Sequence, residues 1–504
     1  MFMNALENKL NVTVTENGAV GYKTTGKALL DLNFAVSSLR HADETEIINR
    51  FYKAFDEDPE LAARWLFFAR DIRGGLGERR LFKTVMGELA KRNPEYVENF
   101  IPLIAEYGRF DDLYCLFDTG AEDKTLSYLS GIISDDLFFK TKGKSVTLLA
   151  KWLPSENASS VTSKALAKKI RRALHYTSKG YRKMLSELRG YIDVTETKMS
   201  ANKWRDIDYE KVPSKANLNY ADAFLRHDEQ RRREYLDALS KGETKINAST
   251  LYPHEIVAKY YTNRWYGNLK DTDAVLENMW TALPQMGSLP NTITVVDGSG
   301  SMYSNYAAIP ACVAQALAVY FSERCTGQFK NKFITFSRRP QLIDLSGLPT
   351  LYSKLNEIKR HDEVANTNIE AVFELVLLTA LEYDMPQEEL PKNILIISDM
   401  EFDGCAENAS ANLFANIKQK YSAHGYCLPR LVFWNVASRT ETIPLKENDR
   451  GVCLISGYSQ NVCNMILSGK LDPYECLKDQ LMDKRYEPVG NAHKAAYNER
   501  RLPF

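Results

Sequence analysis

The stretch NTITVVDGSGSMYS, residues 291–304, runs from a β-branched apolar segment straight into an aspartate and serines spaced by glycine. A strand that ends this way presents oxygen ligands. Asp297, Ser299 and Ser301 form the pattern D-x-S-x-S, whose alternation points three side-chain oxygens into one crevice, while Gly298 and Gly300 let the backbone turn tightly. Carboxylate and hydroxyl oxygens suit a hard cation such as Mg²⁺, whose octahedral demand leaves waters or an open position after a few protein ligands. Thr367, in EVANTNIE ahead of a helix, and Asp399, in IISDMEFD after a strand, are the other donors expected at the same place. The alternative is a capped turn in which Ser299 or Ser301 serves as N-cap of the next helix.

Around this loop the chain alternates strand with helix. TITVVD, KFITFS, NILIISD and RLVFWNVA read as strands, and PACVAQALAVYFSE and IEAVFELVLLTALEY as helices. Continuous apolar strands separated by helices imply a parallel sheet covered on both faces, so residues 288–504 are expected to form a doubly wound α/β domain. Ligands of such folds sit at the carboxyl ends of the strands, where TITVVD and NILIISD both place an aspartate.

Three enzyme readings fail on residues. A nucleophile elbow, G-x-S-x-G, needs glycine where Asp297 and Ser301 stand; a phosphate loop ending in Gly-Lys-Ser/Thr is missing from the sequence; a D-x-D phosphotransfer site needs aspartate at Ser299. The run Asp399, Glu401, Asp403, Gly404 imitates the start of a calcium loop, but its twelfth position is Ser410. Glu401 and Asp403 therefore read as rim acids, either solvated or backing the donor residues.

The D-x-S-x-S loop on this strand pattern resembles a von Willebrand factor A domain with its metal-ion-dependent adhesion site. The resemblance implies that Asp297, Ser299, Ser301, Thr367 and Asp399 hold a divalent cation, usually Mg²⁺, whose free position takes a carboxylate of a protein ligand.

Residues 46–287 have a different grammar, of successive amphipathic helices with short polar connections. ERRLFKTVMGELAKR places Leu81, Phe82, Val85, Met86 and Leu89 on one stripe, Asn93-Pro94 ends it, and Val97, Phe100, Ile101 and Ile104 form the next. Each such face needs a neighbour to cover it, so an all-α array is expected. Residues 1–45 read as an N-terminal extension. Helices joined to an A domain resemble the TROVE module and A domain of the Ro ribonucleoprotein autoantigens. They resemble more closely an uncharacterised family of the same layout in plants, bacteria and phages, through TENGAVGYKTTGKALLDL, RDIRGGLGERRLF, YGRFDDL, LLAKWLPSENASS, VPSKANLNY and SDMEFD. The Ro resemblance implies RNA, single-stranded or structured, as a partner.

Residues 164–189 carry nine basic residues against the single acid Glu187, in a chain whose 65 basic and 65 acidic residues balance. Leu166, Ile170 and Leu174 are expected as a buried stripe, leaving Lys164, Lys168, Lys169, Arg171 and Arg172 outward, with Lys179, Arg182 and Lys183 extending the cluster. Such a cluster suits phosphates, and Tyr176 and Tyr181 can stack on bases or belong to the core. The glycines of RGGLGERR can cradle a phosphate or merely join two helices.

With 504 residues, 44% of them hydrophobic and 26% charged, the composition is that of a soluble globular protein of two or three domains. No apolar run approaches the ~18–20 residues that span a bilayer, and no signal peptide is visible at the start, so no membrane partner and a cytoplasmic location are expected. The eight cysteines, Cys405 among them, make no C-x-x-C pair. The expectation is a non-enzymatic RNA-binding protein with a basic helical surface and a Mg²⁺-binding A domain. Its rivals are a metal-dependent protein-interaction scaffold without RNA and a metal-dependent nuclease.

Overall fold

The computed structural model describes residues 2–261, 268–303, 310–336, 339–361, 367–404, 412–446, 449–467 and 469–498. Cys405 and Ser410 lie outside them. The chain divides into two compact units: Met1–Ala62 with Ala248–Asp483, and Ala63–Asn247 with Lys484–Phe504. This division differs from the expected segments 1–45, 46–287 and 288–504, because both ends of the chain pack away from their sequence neighbours.

The first unit opens with an antiparallel hairpin, β1 (Val12–Val14) and β2 (Val20–Tyr22). Its main sheet contains β3 (Thr292–Asp297), β4 (Lys332–Phe336), β5 (Gln341–Asp344), β6 (Asn393–Ser398), β7 (Arg430–Asn435) and β8 (Val452–Ser456). The spatial order is β5-β4-β3-β6-β7-β8, and every pairing is parallel except β4 with β5. The sheet is thus mixed, with an antiparallel edge strand. Every residue of β3, β7 and β8 is buried, which explains their unbroken apolar runs: burying each Val, Leu, Ile or Phe contributes about 1.5–3 kcal/mol. β5 alternates between covered and exposed positions, the pattern of an edge with one wet face.

Helices from outside the expected domain complete this core. Helix Ala28–Phe34 packs on β8 and on helix Glu44–Glu57, and helix Pro253–Tyr260 packs on helix Pro310–Ser322, which itself lies on β3. Phe321 meets Trp434 with ring centroids 5.1 Å apart, and the Trp434 indole N–H donates to the Gly457 carbonyl at 2.8 Å. Chain order reverses between β3 and β6, so the crevice beyond their carboxyl ends is the switch point at which such sheets bind ligands.

The second unit is helical. Leu81, Phe82, Val85, Met86 and Leu89 of helix Arg79–Arg92 are buried, as are Val97, Phe100, Ile101 and Ile104, and Asn93 caps the next helix by accepting from the Tyr96 N–H at 3.1 Å. A network of ions locks these helices: Arg70 bonds the fully buried Asp112 at 2.6 Å, and Arg79 bonds both Asp111 and Asp112 at 2.6 Å. Burial alone would raise the Asp112 carboxyl, but Arg70 and Arg79 hold it below its ordinary value. RGGLGERR is therefore a joint between two helices. A Cβ on Gly75 would stand 1.9 Å from the Phe68 carbonyl oxygen, leaving no room for a larger residue. The last helix, Glu487–Asn498, belongs here as well, with His493 Nδ1 2.9 Å from the Tyr96 hydroxyl. Among the described residues, no helix is long and apolar enough to cross a membrane.

Candidate functional site

β3 delivers Asp297 to the switch-point crevice with its carboxylate 2% exposed. The Ser398 hydroxyl, at the end of β6, donates to Asp297 Oδ2 at 2.5 Å, and the Ser299 N–H donates to Oδ1 at 2.8 Å. The Ser299 and Ser301 hydroxyls are 3.0 Å apart, and the Ser301 hydroxyl reaches the carboxylate of Asp399, which is fully buried. Past β6 the backbone turns through Met400 at φ 64°, and the Glu401 N–H donates to Asp399 Oδ1 at 3.1 Å. Thr367, 1% exposed, borders the same loops through its carbonyl, which accepts from the Asp403 N–H at 3.2 Å.

Two carboxylates so deeply buried repel one another. Burial, followed by the charge of Asp399, pushes Asp297 up to about 7. Burial raises Asp399 too, against the opposing pull of the Ser301 hydroxyl and the Arg439 guanidinium. Arg439 Nη1 donates to Asp399 Oδ2 at 3.0 Å. When both acids are ionised, the pair outweighs the Arg439 guanidinium, and the oxygens of Asp297, Ser299, Ser301, Thr367 and Asp399 are the donors a hard divalent cation prefers. Among the described residues no three His, Cys, Asp or Glu side chains gather as metal ligands, so a site here relies on its hydroxyls.

Asn17 and Glu16 were not expected at the site. The turn after β1 places the Asn17 side-chain amide 3.2 Å from Thr367 Oγ1 and 2.6 Å from the Glu401 carbonyl, donating to both. Glu16 accepts from Arg439 Nε at 2.8 Å. Glu401 is fully buried, which corrects its reading as a solvated rim acid. Its carboxylate accepts from the backbone N–H of Glu16 (2.9 Å), Arg439 (2.8 Å) and Thr440 (2.8 Å), and from the Ser438 and Thr440 hydroxyls. Asp403 is half-buried, and burial raises its carboxyl. The supposed extension is therefore part of the site's wall. Its signal was the Gly18 that closes the three-residue loop 16–18 between NVTVT and AVGY, a hairpin loop with glycine in the left-handed position, here at φ +90°.

The basic cluster of the helical unit is split. On helix Val161–Ala173, Lys168 and Arg172 are exposed and Lys164 is half-buried. Lys169 instead pairs with Asp118 (2.7 Å) and Glu122 (2.9 Å), and Arg171 with Glu156 (2.8 Å), so these two do not project freely. The expected stripe is also shifted: Ala167 and Ile170 are buried, whereas Leu166 and Leu174 are only half-buried. Lys179, Arg182 and Lys183 are exposed on helix Ser178–Tyr191, while Arg189 is spent on the carbonyls of Ala150 and Leu153 and the Ser155 hydroxyl. Tyr181 is core, its hydroxyl donating to the Pro154 carbonyl at 3.0 Å, and Tyr176 packs edge-on against it.

Comparison with known proteins places this architecture among relatives. Residues 15–125 and 134–286 match the domain of unknown function DUF2828, and residues 291–499 match the domain of unknown function DUF7788. Uncharacterized protein L728 of Acanthamoeba polyphaga mimivirus is 30% identical over 500 residues, covering 91% of this chain and 85% of the viral one. The crystal structure of the Deinococcus radiodurans Ro (RSR) protein aligns over 89% of this chain and 93% of that one, at 13% identity and a TM-score of 0.45. With more than half its length matched by one domain and a full-length relative at this identity, the chain belongs to the DUF2828 family, here continued by a DUF7788 domain.

Proposed function

We propose that the protein is a non-enzymatic, cytoplasmic RNA-binding protein whose helical unit captures RNA, while its α/β unit holds Mg²⁺ at Asp297, Ser299, Ser301, Thr367 and Asp399. The observation that carries the RNA reading is the set of exposed cations Lys168, Arg172, Lys179, Arg182 and Lys183 on two consecutive helices. Mg²⁺ would supply positive charge for an acidic group of a protein ligand, with no bond made or broken in the bound molecule. Asp297 and Asp399 would face the ion as anions, the serine and threonine hydroxyls as neutral donors, and Arg439 would hold Asp399 in place.

Labelled RNA titrated across a salt series tests the RNA reading. Each phosphate neutralised on a single strand contributes about 0.7 to the slope of log K against log salt. Changing Lys168, Arg172, Lys179 and Lys183 together to alanine is expected to weaken binding at low salt at least tenfold and to lower that slope by up to about 3. An unaltered slope would remove these residues from the interface. RNA recovered intact after incubation with Mg²⁺ is the expected companion result, and metal-dependent cleavage lost in Asp297→Ala would replace this reading with a nuclease.

A second reading has its own observation. Lys169 and Arg171 are consumed by ion pairs, which suits a scaffold whose α/β unit recruits an acidic protein ligand without RNA. Wild-type protein that fails to bind RNA at low salt would favour it.

A further inference from the structure

Helix Glu122–Thr141 ends in FFKT and runs into KGKS, a stretch almost wholly exposed. Phe138 is 57% exposed and Phe139 37%, an unusual cost for adjacent phenylalanines on a helix whose buried face consists of Thr125, Leu129, Ile133 and Asp136. Their rings lie 5.9 Å apart and tilted, and Lys142 Nζ stands 5.7 Å from the Phe138 centroid. Tyr191, 37% exposed, is tied to this corner by its hydroxyl, which donates to the Lys144 carbonyl at 2.8 Å.

This corner adjoins the basic helix. Lys140 pairs with Glu187 of helix Ser178–Tyr191, and Lys183 stands one turn before Glu187, so the two share a face. Glu187 is thereby engaged with Lys183 beside it, Lys142 borders the Phe138 ring, and Lys144 follows on the exposed stretch, whose exposed acidic neighbours are Asp135 and Asp193. Exposed aromatic faces bordered by cations match the two halves of a nucleotide, since a base covers a ring while its phosphate meets an ammonium group. Bases of a duplex are stacked on one another, so only unpaired bases can do this.

We infer that Phe138, Phe139 and Tyr191, with Lys142 against the Phe138 ring and Lys144 and Lys183 on the same corner, form a stacking ledge for single-stranded RNA. The inference rests on the RNA reading above and assigns the unpaired segment of the RNA to this corner. The ledge, rather than Tyr176 and Tyr181, supplies the stacking surface.

The test compares a 12-nucleotide unstructured RNA with a 12-base-pair RNA duplex, using the full chain. Alanine in place of a stacking ring typically costs roughly tenfold to a hundredfold per base. The double variant Phe138→Ala, Phe139→Ala is expected to bind the single strand at least tenfold more weakly, with an unchanged salt slope because no cation is lost, and to bind the duplex as before. The variant Lys142→Ala, Lys144→Ala should lower the slope. Phe138→Trp should show indole fluorescence quenched by the single strand alone.

Equal losses for strand and duplex, or no loss for either, overturn the ledge while the basic-helix variant still decides the RNA reading separately. Absence of any binding by the wild type overturns both. Self-association seen by sedimentation velocity and abolished by the phenylalanine variant would also overturn the ledge, in favour of a second copy of this chain as its occupant.

Discussion

Glu401→Ala is expected to destabilise the α/β unit by about 3–5 kcal/mol, the usual cost of removing one partner from a buried charged cluster, and to release the first hairpin. The carboxylate is fully buried and gathers three backbone N–H groups and two hydroxyls, from Glu16, Ser438, Arg439 and Thr440. Each hydrogen bond to a charged acceptor contributes about 1.5–3 kcal/mol, and donors left buried without an acceptor add their own desolvation cost. The contributions do not sum, because water can enter once the loop loosens. Glu401→Gln keeps one carbonyl acceptor and should fall between the variant and the wild type. Urea denaturation measures the loss, and hydrogen exchange of residues 12–22 reports the hairpin. A change below 1 kcal/mol with unaltered exchange would show that Glu401 does not hold the hairpin.

The second large effect concerns the cation. Mg²⁺ at a hundred times its Kd should stabilise the wild type by about 2.7 kcal/mol, a rise in Tm of roughly 4 °C for a unit as large as Met1–Ala62 with Ala248–Asp483. Asp297→Asn should abolish that increment. In chelator at pH 8 the variant should be at least as stable as the wild type, because one of two repelling buried charges is gone. The pH dependence follows from the carboxyl of Asp297, raised by burial and then by Asp399 to about 7. A folded-state value above the unfolded one favours the protonated form in the fold, so metal-free stability falls as pH rises from about 4 through about 7. Below that upper limit the cation must displace a proton, and the Mg²⁺ increment should be larger at pH 8 than at pH 6. Differential scanning fluorimetry with EDTA or Mg²⁺ at both pH values measures it. An equal increment in Asp297→Asn would remove this residue from the donor set.

Much of this architecture was legible because it is local. The stripes of Leu81 to Leu89 and Val97 to Ile104 follow from helical period alone, and β3, β6 and β7 from unbroken apolar runs. Features settled by distant partners were not. Lys169 looks outward on its own helix, yet Asp118 and Glu122 reach it from some 50 residues upstream. Glu401 lies in an acidic polar loop and reads as solvated until residues 16 and 438–440 close over it. β5 carries an alternating edge pattern too short to stand out, and residues 1–45 read as an extension because the residues the hairpin and Asn17 grip lie 350–428 positions downstream.

That last arrangement sets an order on biosynthesis. Asn17 is 350 residues from Thr367, and Val14 is 428 from Thr442, whose hydroxyl donates to its carbonyl. At about 5–20 residues per second, a ribosome needs roughly 20–90 s to make the second partner after the first. For that interval the nascent hairpin has two short strands and a three-residue loop but none of the carboxylate and carbonyl oxygens that seat it. The α/β unit closes only late in translation, and a fusion that restrains residues 12–22 would delay closure without touching the sheet.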